Sequence, residues 1–438
     1  MNATLAARDA YAEAFARRER SAISPPWLAA LRRNARARFE ALGFPHVRLE
    51  DWRFTNPAPL TQAFVDAAEG SGAATPALPG FGAWERIELA LVNGRYAPGL
   101  ARVPALPGGA WVGGLAAAIA NPIVADRMTR TLGAIAPWQE RAFVALNTAL
   151  IDDGILVHVA PGVTLGTPVH IGHAIHKDGG NPVAAHPRVL VIADRGARLT
   201  VIEDFRGSQR AGDFVNSVIE FDVGDGAQVE HVSILGDAPE SLHVGALFAR
   251  LGTGAHFSSR SIALGGRLSR RDVHVTFAGA QGEATLDGLY VTSGNGLVDH
   301  HTTADHAVPG CTSRELFKGV LTGASRAVFN GAVIIRPDAQ KSDAAQQNQN
   351  LLLSEDATID TKPELQIFAD DVKCAHGATV GQLDDAALFY LRARGIGALE
   401  ARAILTHAFA REVVERIPHE GLRADVDALV ESRMENLR

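Results

Sequence analysis

"GARLTVIEDF" (196–205), "GAQVEHVSIL" (226–235), "GAHFSSRSIAL" (254–264) and "GEATLDGLYVT" (282–292) each open on a glycine and run on as an alternating segment. The opening glycines lie 30, 28 and 28 residues apart. Glycine suits a tight turn because, without a Cβ, it enters left-handed backbone geometry at no steric cost. The residues after each turn alternate between apolar and polar side chains, the period of a strand. One turn-plus-strand unit at a near-constant period of this size is what a solenoid needs, since each coil buries its face only against its neighbours. The spacing alone leaves a second reading open, a large antiparallel meander or sandwich.

The alternating texture extends over about 86–383, and composition agrees with it. The chain has 43 Gly against 18 Phe, 5 Trp and 4 Tyr, which favours many short strands and tight turns. Upstream, 1–85 reads as helical. Ser24-Pro25 is an N-cap and first-turn signal, Leu28, Leu31, Ala35, Phe39 and Leu42 form one stripe, and Gly43 is a stop. Ala67 to Gly82 reads as a loop or linker, and a further helix is predicted over Pro137 to Leu150. Downstream, 384–438 turns helical again. Ala401, Ile404, Leu405, Ala408 and Phe409 share a face, and Pro418 ends that helix. Gly421 precedes a last helix with Leu422, Val426, Leu429 and Val430 on one side. Such an appendage can cap the final coil, bind a partner, or do both.

A chain of 438 residues has room for two or three folding units. With 21% charged and 47% hydrophobic residues it is not a disordered chain, and a formal charge of −7 offers nucleic acid no basic footprint. Two cysteines, Cys311 and Cys374, are too few for a disulfide framework and fit a reducing compartment. No apolar run reaches the roughly 18–20 residues a membrane span needs. Met1 to Ser21 is Ala- and Arg-rich like a transit peptide, but Asp9, Glu13 and Glu19 interrupt it, so an ordinary helix and a cytoplasmic protein are expected.

Cys374-Ala375-His376 is the sharpest local signal. On a strand, residues two apart share a face with Cα atoms roughly 6.6–6.8 Å apart. A thiolate and an imidazole there suit iron or zinc, but two ligands do not close a site, and a buried thiol beside a surface histidine is the bland alternative. In His300-His301-Thr302-Thr303-Ala304-Asp305-His306, adjacent histidines on a strand face opposite ways, so this run and nearby Cys311 are read as structural. Asp338, Asp343, Asp356, Asp360, Glu364, Asp370 and Asp371 raise a β-helix enzyme acting on polysaccharide as the alternative function. No pair among them stands out. "DAAQQNQN" (343–350) is read as a turn ladder of the solenoid. There is no P-loop, G-x-S-x-G elbow or H-E-x-x-H.

The longest informative stretch is "FNGAVIIRPDAQKSDAAQQNQNLLLSEDATIDTKPELQIFADDVKCAHGATVGQLDDAALFYLRARGI" (329–396). It closely resembles the signature region of the SufB/SufD family of the SUF iron–sulfur cluster assembly system. The likeness continues through "VDHHTTADHAVPGCTSRELFKGVL" (298–321) and returns faintly at "FPHVRLEDWRFTNPAPL" (44–60). The SufB branch carries a cysteine near where this chain has Gln347, Asn348, Gln349 and Asn350. It also tends to have a glutamate where this chain has Gly377. Both departures favour the SufD branch.

The resemblance implies a mainly β protein: a right-handed parallel β-helix core, 86–383, between helical domains at 1–85 and 384–438. It implies a non-catalytic scaffold that pairs with a SufB-like subunit through the β-helix and binds a SufC-like ATPase through the C-terminal helices. It further implies that Cys374 and His376 hold iron or a transient cluster at the subunit interface, with none stably bound by the isolated chain. His376 is the better candidate for iron. A homodimer of the isolated chain stays open, and the missing P-loop is explained if the partner hydrolyses ATP.

Overall fold

The computed structural model describes residues 2–21, 25–61, 65–66, 78–175, 182–207, 212–236, 238 and 240–435. The Ser24 N-cap and the 67–77 part of the expected loop lie outside them. Two long sheets face each other, and the chain steps from one to the other at every turn. The first sheet stacks Ile155–Val159, Arg188–Ala193, Phe214–Val223, Leu242–Leu251, Leu268–Phe277, Leu297–His306, Arg326–Ile335 and Thr358–Ile367. The second stacks Ile87–Val92, Val169–Ala174, Arg198–Asp204, Gln228–Leu235, His256–Ala263, Glu283–Thr292, Thr312–Leu321, Asp343–Leu352 and Lys373–Gly381. Neighbours in these stacks are parallel, which excludes a meander and makes the core a β-solenoid.

The pairing is residue-for-residue, so identical positions of successive coils form columns about 4.8 Å apart. Val229 lies between Leu199 and Phe257, and all three are buried in the lumen. The turns stack as well. Gly162, Gly196, Gly226, Gly254, Gln281, Gly310 and Lys341 all have positive φ. Their N–H groups donate to Arg195, Asp225, Thr253, Ala280, Pro309, Gln340 and Asp371 of the next coil. The fourth sequence unit is therefore offset by one. Its turn residue is Gln281, 27 residues after Gly254, and Gly282 only follows it.

Helices α1 (Asn2–Ser21) and α2 (Pro26–Leu42) join a short helix α5 (Ala142–Ala149). Tyr11, Phe39, Trp52 and Phe143 bury a joint core against Phe214 and Leu242 on the outside of the first sheet. Gly43 ends α2 at φ 67°, as its sequence position suggests, whereas Leu42 is partly exposed. Two further helices, α3 (Leu115–Ile119) and α4 (Ala125–Thr131), cover Leu156, Leu190 and Ile192 near the first coil.

The C-terminal helices are α6 (Asp385–Ala393), α7 (Ala398–Val414) and α8 (Glu420–Glu435). They do not close the last coil. Instead α7 and α8 lie along the outside of the second sheet, where Ala410, Val413, Val426 and Val430 cover Val232, Leu289 and Leu316. Arg416 bonds Asp287 at 3.0 Å, and the Lys318 ammonium donates to the Phe409 carbonyl at 3.2 Å. The buried face of α7 is Ala401, Thr406, Ala410, Val413 and Val414; Ile404 and Ala408, expected on it, face outward. Gly421 sits inside α8, where any Cβ would meet the Trp84 ring at 2.7 Å. One helical turn later Asp425 accepts hydrogen bonds from Gly82 N–H and Trp84 Nε1–H.

Candidate functional site: the open rung

Every strand of the second sheet has a neighbour on both sides until the last. Among the described residues Lys373–Gly381 pairs only with Asp343–Leu352, and Thr358–Ile367 is the matching edge of the first sheet. Of the last strand only Cys374 is half-covered; the rest is exposed. Aliphatic side chains are left at this end, with Ile367 41% and Val380 50% exposed, and Phe368 beside them 63%. Residues 368–372 form the turn between the two edges.

Register fixes which way Cys374 and His376 stand. Cys374 is opposite Ala344 and His376 opposite Gln346, both buried lumenal residues. Both belong to the lumenal set, so the sequence pair shares a face. Burial raises the Cys374 thiol above its usual pKa, the nearby Asp343 charge adds to this, and a backbone hydrogen bond at Ala344 opposes it. The thiol is therefore protonated at neutral pH, and a metal ligated there would have to displace that proton. The His376 ring is exposed and makes no hydrogen bond among the described residues. No three His, Cys, Asp or Glu converge on a metal position among the described residues, so the pair is half of a coordination sphere at most.

Beneath the pair the lumen turns polar. "DAAQQNQN" is a strand, not a turn ladder, and its alternate residues Gln346, Asn348 and Asn350 fill the interior. Asn348 Nδ2 donates to the Tyr290 hydroxyl at 2.9 Å, and that hydroxyl donates to Asn350 Oδ1 at 2.5 Å. Asn350 Nδ2 reaches up to the Thr379 carbonyl of the last strand at 3.3 Å. In the His376 column, Gln346 Nε2 donates to Glu315 Oε2 at 3.1 Å, which also accepts from Thr302 Oγ1 at 2.7 Å. Burial pushes the Glu315 carboxyl up to about 7. Neither Glu315 nor Gln346 stands out as a site residue in the sequence. Local pattern hides the column, and only superposing coils brings positions 315, 346 and 376 together.

The histidines of the 300–306 run are held by contacts within the fold. His300 faces the lumen, bonded to Ser261 Oγ at 2.9 Å, while His301 faces outward beside Asp299. His306 bonds Ser313 Oγ at 2.9 Å. Burial lowers both His300 and His306 to about 4, so they are neutral fillers. Cys311 is buried. Among the acidic residues, Asp343, Asp360 and Asp371 are each ion-paired to Arg314, Arg326 and Lys341 of the preceding coil.

The family model described as SUF system FeS cluster assembly, SufBD core domain, matches residues 174–409, and that of the SufBD protein N-terminal region matches 84–171. The chain belongs to the SufBD family. An iron–sulfur cluster assembly SufBD family protein of Synechocystis is 32% identical over 406 residues, 90% of this chain and 88% of its own. The iron–sulfur cluster assembly protein SufD of Escherichia coli K12 is 32% identical over 395 residues, 90% of both chains. SufD of Bacillus subtilis is 28% identical over 299 residues, 67% of both. The SufBD core match contains the whole open rung and its polar column. This membership makes the chain a component of iron–sulfur cluster assembly.

Proposed function

We propose that this SufBD protein is a SufD-type scaffold subunit whose open rung is half of a cluster-building site. The observation that carries the reading is the last coil, unpaired on its outer side among the described residues, with Cys374 and His376 on lumenal positions of it. A SufB-like subunit would add its own coil to these edges through backbone hydrogen bonds, and would supply the missing ligands. Iron and sulfide are the cargo. A thiolate and an imidazole are borderline-soft donors suited to Fe(II) and to transient clusters.

The same reading gives the C-terminal helices to a SufC-like ATPase. Phe389, Tyr390 and Leu399 are 74%, 55% and 69% exposed on α6 and α7, and Ile404 stands out beside them. Exposed apolar side chains in this number are the mark of a surface that a partner covers. On this view ATP hydrolysis belongs to the partner, this chain is not itself an enzyme, and the protein works in the cytoplasm. The division into 1–85, 86–383 and 384–438 is our assignment of the helical, scaffold and ATPase-binding parts.

The test is anaerobic co-purification with SufB- and SufC-like partners, measuring iron, sulfide and visible absorption. The wild-type complex is expected to carry a cluster, and His376→Ala to assemble without one. Wild-type cluster content in His376→Ala would remove the ligand assignment; failure to co-purify would remove the partner assignment.

A further inference from the structure

The column under His376 contains polar atoms that the fold buries and leaves without partners. Gln346 is 1% exposed and Glu315 4%, yet Oε1 of each accepts no hydrogen bond among the described residues. Thr361 Oγ1, a lumenal position of the facing edge strand, is buried and unpartnered too. Buried acceptors of this kind cost about 1–3 kcal/mol each when left unmade, so three together at one end of a lumen call for an explanation.

Gln346 is already held from two sides. Its Nε2 is committed downward to Glu315, which Thr302 holds in turn. Across the lumen Gly331 makes room for it, since a Cβ there would come within 2.3 Å of Gln346 Nε2. An amide fixed by its nitrogen presents its oxygen as the remaining acceptor. The next residue of the same column, about 4.8 Å up the stack, is His376, whose ring has no partner among the described residues.

We propose that Gln346, anchored by Glu315 and Thr302, is the positioning residue of the open rung: its Oε1 accepts the N–H of His376 and so presents the other ring nitrogen to iron. The inference rests on His376 being a ligand and adds what orients it. A ligating imidazole gives its second N–H to an acceptor, which fixes tautomer and ring plane. Here the acceptor is a neutral amide backed by a carboxyl group, so the ring is oriented without a negative charge beside the cluster. Closure of the end by a partner coil would bring the exposed ring down onto the waiting oxygen.

The experiment uses the reconstituted complex, with iron transfer to a ferrous chelator and the visible spectrum as readouts. Gln346→Met keeps the side-chain length and removes the acceptor. It is expected to assemble with its partners yet lose iron about tenfold faster or more, with an altered charge-transfer region. Gln346→Glu restores an acceptor, held by the Glu315 proton in place of the amide N–H, and is expected to restore retention with a spectrum shifted by its charge, which a purely space-filling role would not require. If Gln346→Met does not fold, Gly331→Ala carries the test by displacing the amide, with the same faster iron loss expected. Wild-type retention in a folded Gln346→Met or Gly331→Ala complex, or no rescue by Gln346→Glu, overturns the positioning role. Should His376→Ala retain iron like wild type, the ligand reading itself falls, a result separable from the other two.

Discussion

The two ends of the solenoid are built for opposite purposes. At the first coil, Ile155–Val159 is buried at every residue and pairs on its outer side with an antiparallel strand, Ala110–Gly114. Ile87–Val92 is closed in the same way by Arg95–Tyr96. An antiparallel strand stops a parallel stack, because it does not continue the coil. Helices α3 to α5 then cover the outside. At the last coil, Lys373–Gly381 has neither stop nor cover among the described residues. A bare edge is an aggregation hazard that proteins ordinarily blunt. Closing one end and leaving the other bare concentrates stability at the first and availability at the second.

Substitutions should separate these roles, and the largest loss of stability is expected near the closed end. Glu220 is fully buried, pairs with Arg188 and accepts N–H groups from Gly133, Ile135 and Ala136. Glu220→Ala strands Arg188 and three donors, and should cost about 3–5 kcal/mol in urea unfolding. Next comes Glu315, whose folded pKa of about 7 stands above the usual carboxyl value. The folded state holds that proton while the unfolded state loses it. The contribution is therefore full below about 4.5 and is lost as pH rises to about 7, of order 3 kcal/mol in all. Glu315→Gln should remove this part of the slope, read as the difference between variant and wild-type unfolding midpoints at pH 5 and pH 8.

A smaller effect, of the opposite sign, is expected in the turn column. Gln281→Gly should stabilise the chain by about 1 kcal/mol, because Gln281 holds a left-handed position at φ 61° that glycine fills without strain. At the open end, Val380→Lys should change the stability of the isolated chain by less than about 0.5 kcal/mol. The same change should abolish co-purification with a SufB-like partner by placing a charge on the exposed edge. A large stability loss in Val380→Lys would mean that the last coil is as integral as the first.

The solenoid was legible because both of its periods are written locally, turn glycines near every 28–30 residues and alternation between them. The register of the fourth unit was not, because Gln281 takes the turn geometry that Gly282 was expected to supply. "DAAQQNQN" misled for a related reason: amide side chains signal turns on average, but here they alternate into a lumen whose coils satisfy one another's hydrogen bonds. In α7 the apolar stripe through Ile404 and Ala408 is present in the sequence as read. Ala401 is buried and Leu405 and Phe409 are half-buried, whereas Ile404 and Ala408 are exposed, because the face through Thr406 and Ala410 is the one that meets the sheet. Cys374 and His376 could be paired from spacing two. The residues beneath His376 in its column, Gln346 and Glu315, lie one and two coils away, beyond any local window.

The attachment of the C-terminal helices has a mechanical consequence. Their grips are Lys318 to Phe409 and Arg416 to Asp287 in mid-stack, and Asp425 to Trp84 just ahead of the first coil. None of these touches the last rung, and the Asp343–Leu352 strand stands between it and the Thr312–Leu321 strand that bears Lys318. A pull on α7 therefore loads the stack behind its last rung, while α6, separated from Gly381 by three residues, is tied to that rung by the chain itself. The last rung is thus joined to the helices at one end of one strand and to the stack by a full ladder of hydrogen bonds, so a force on the helices reaches it by both routes.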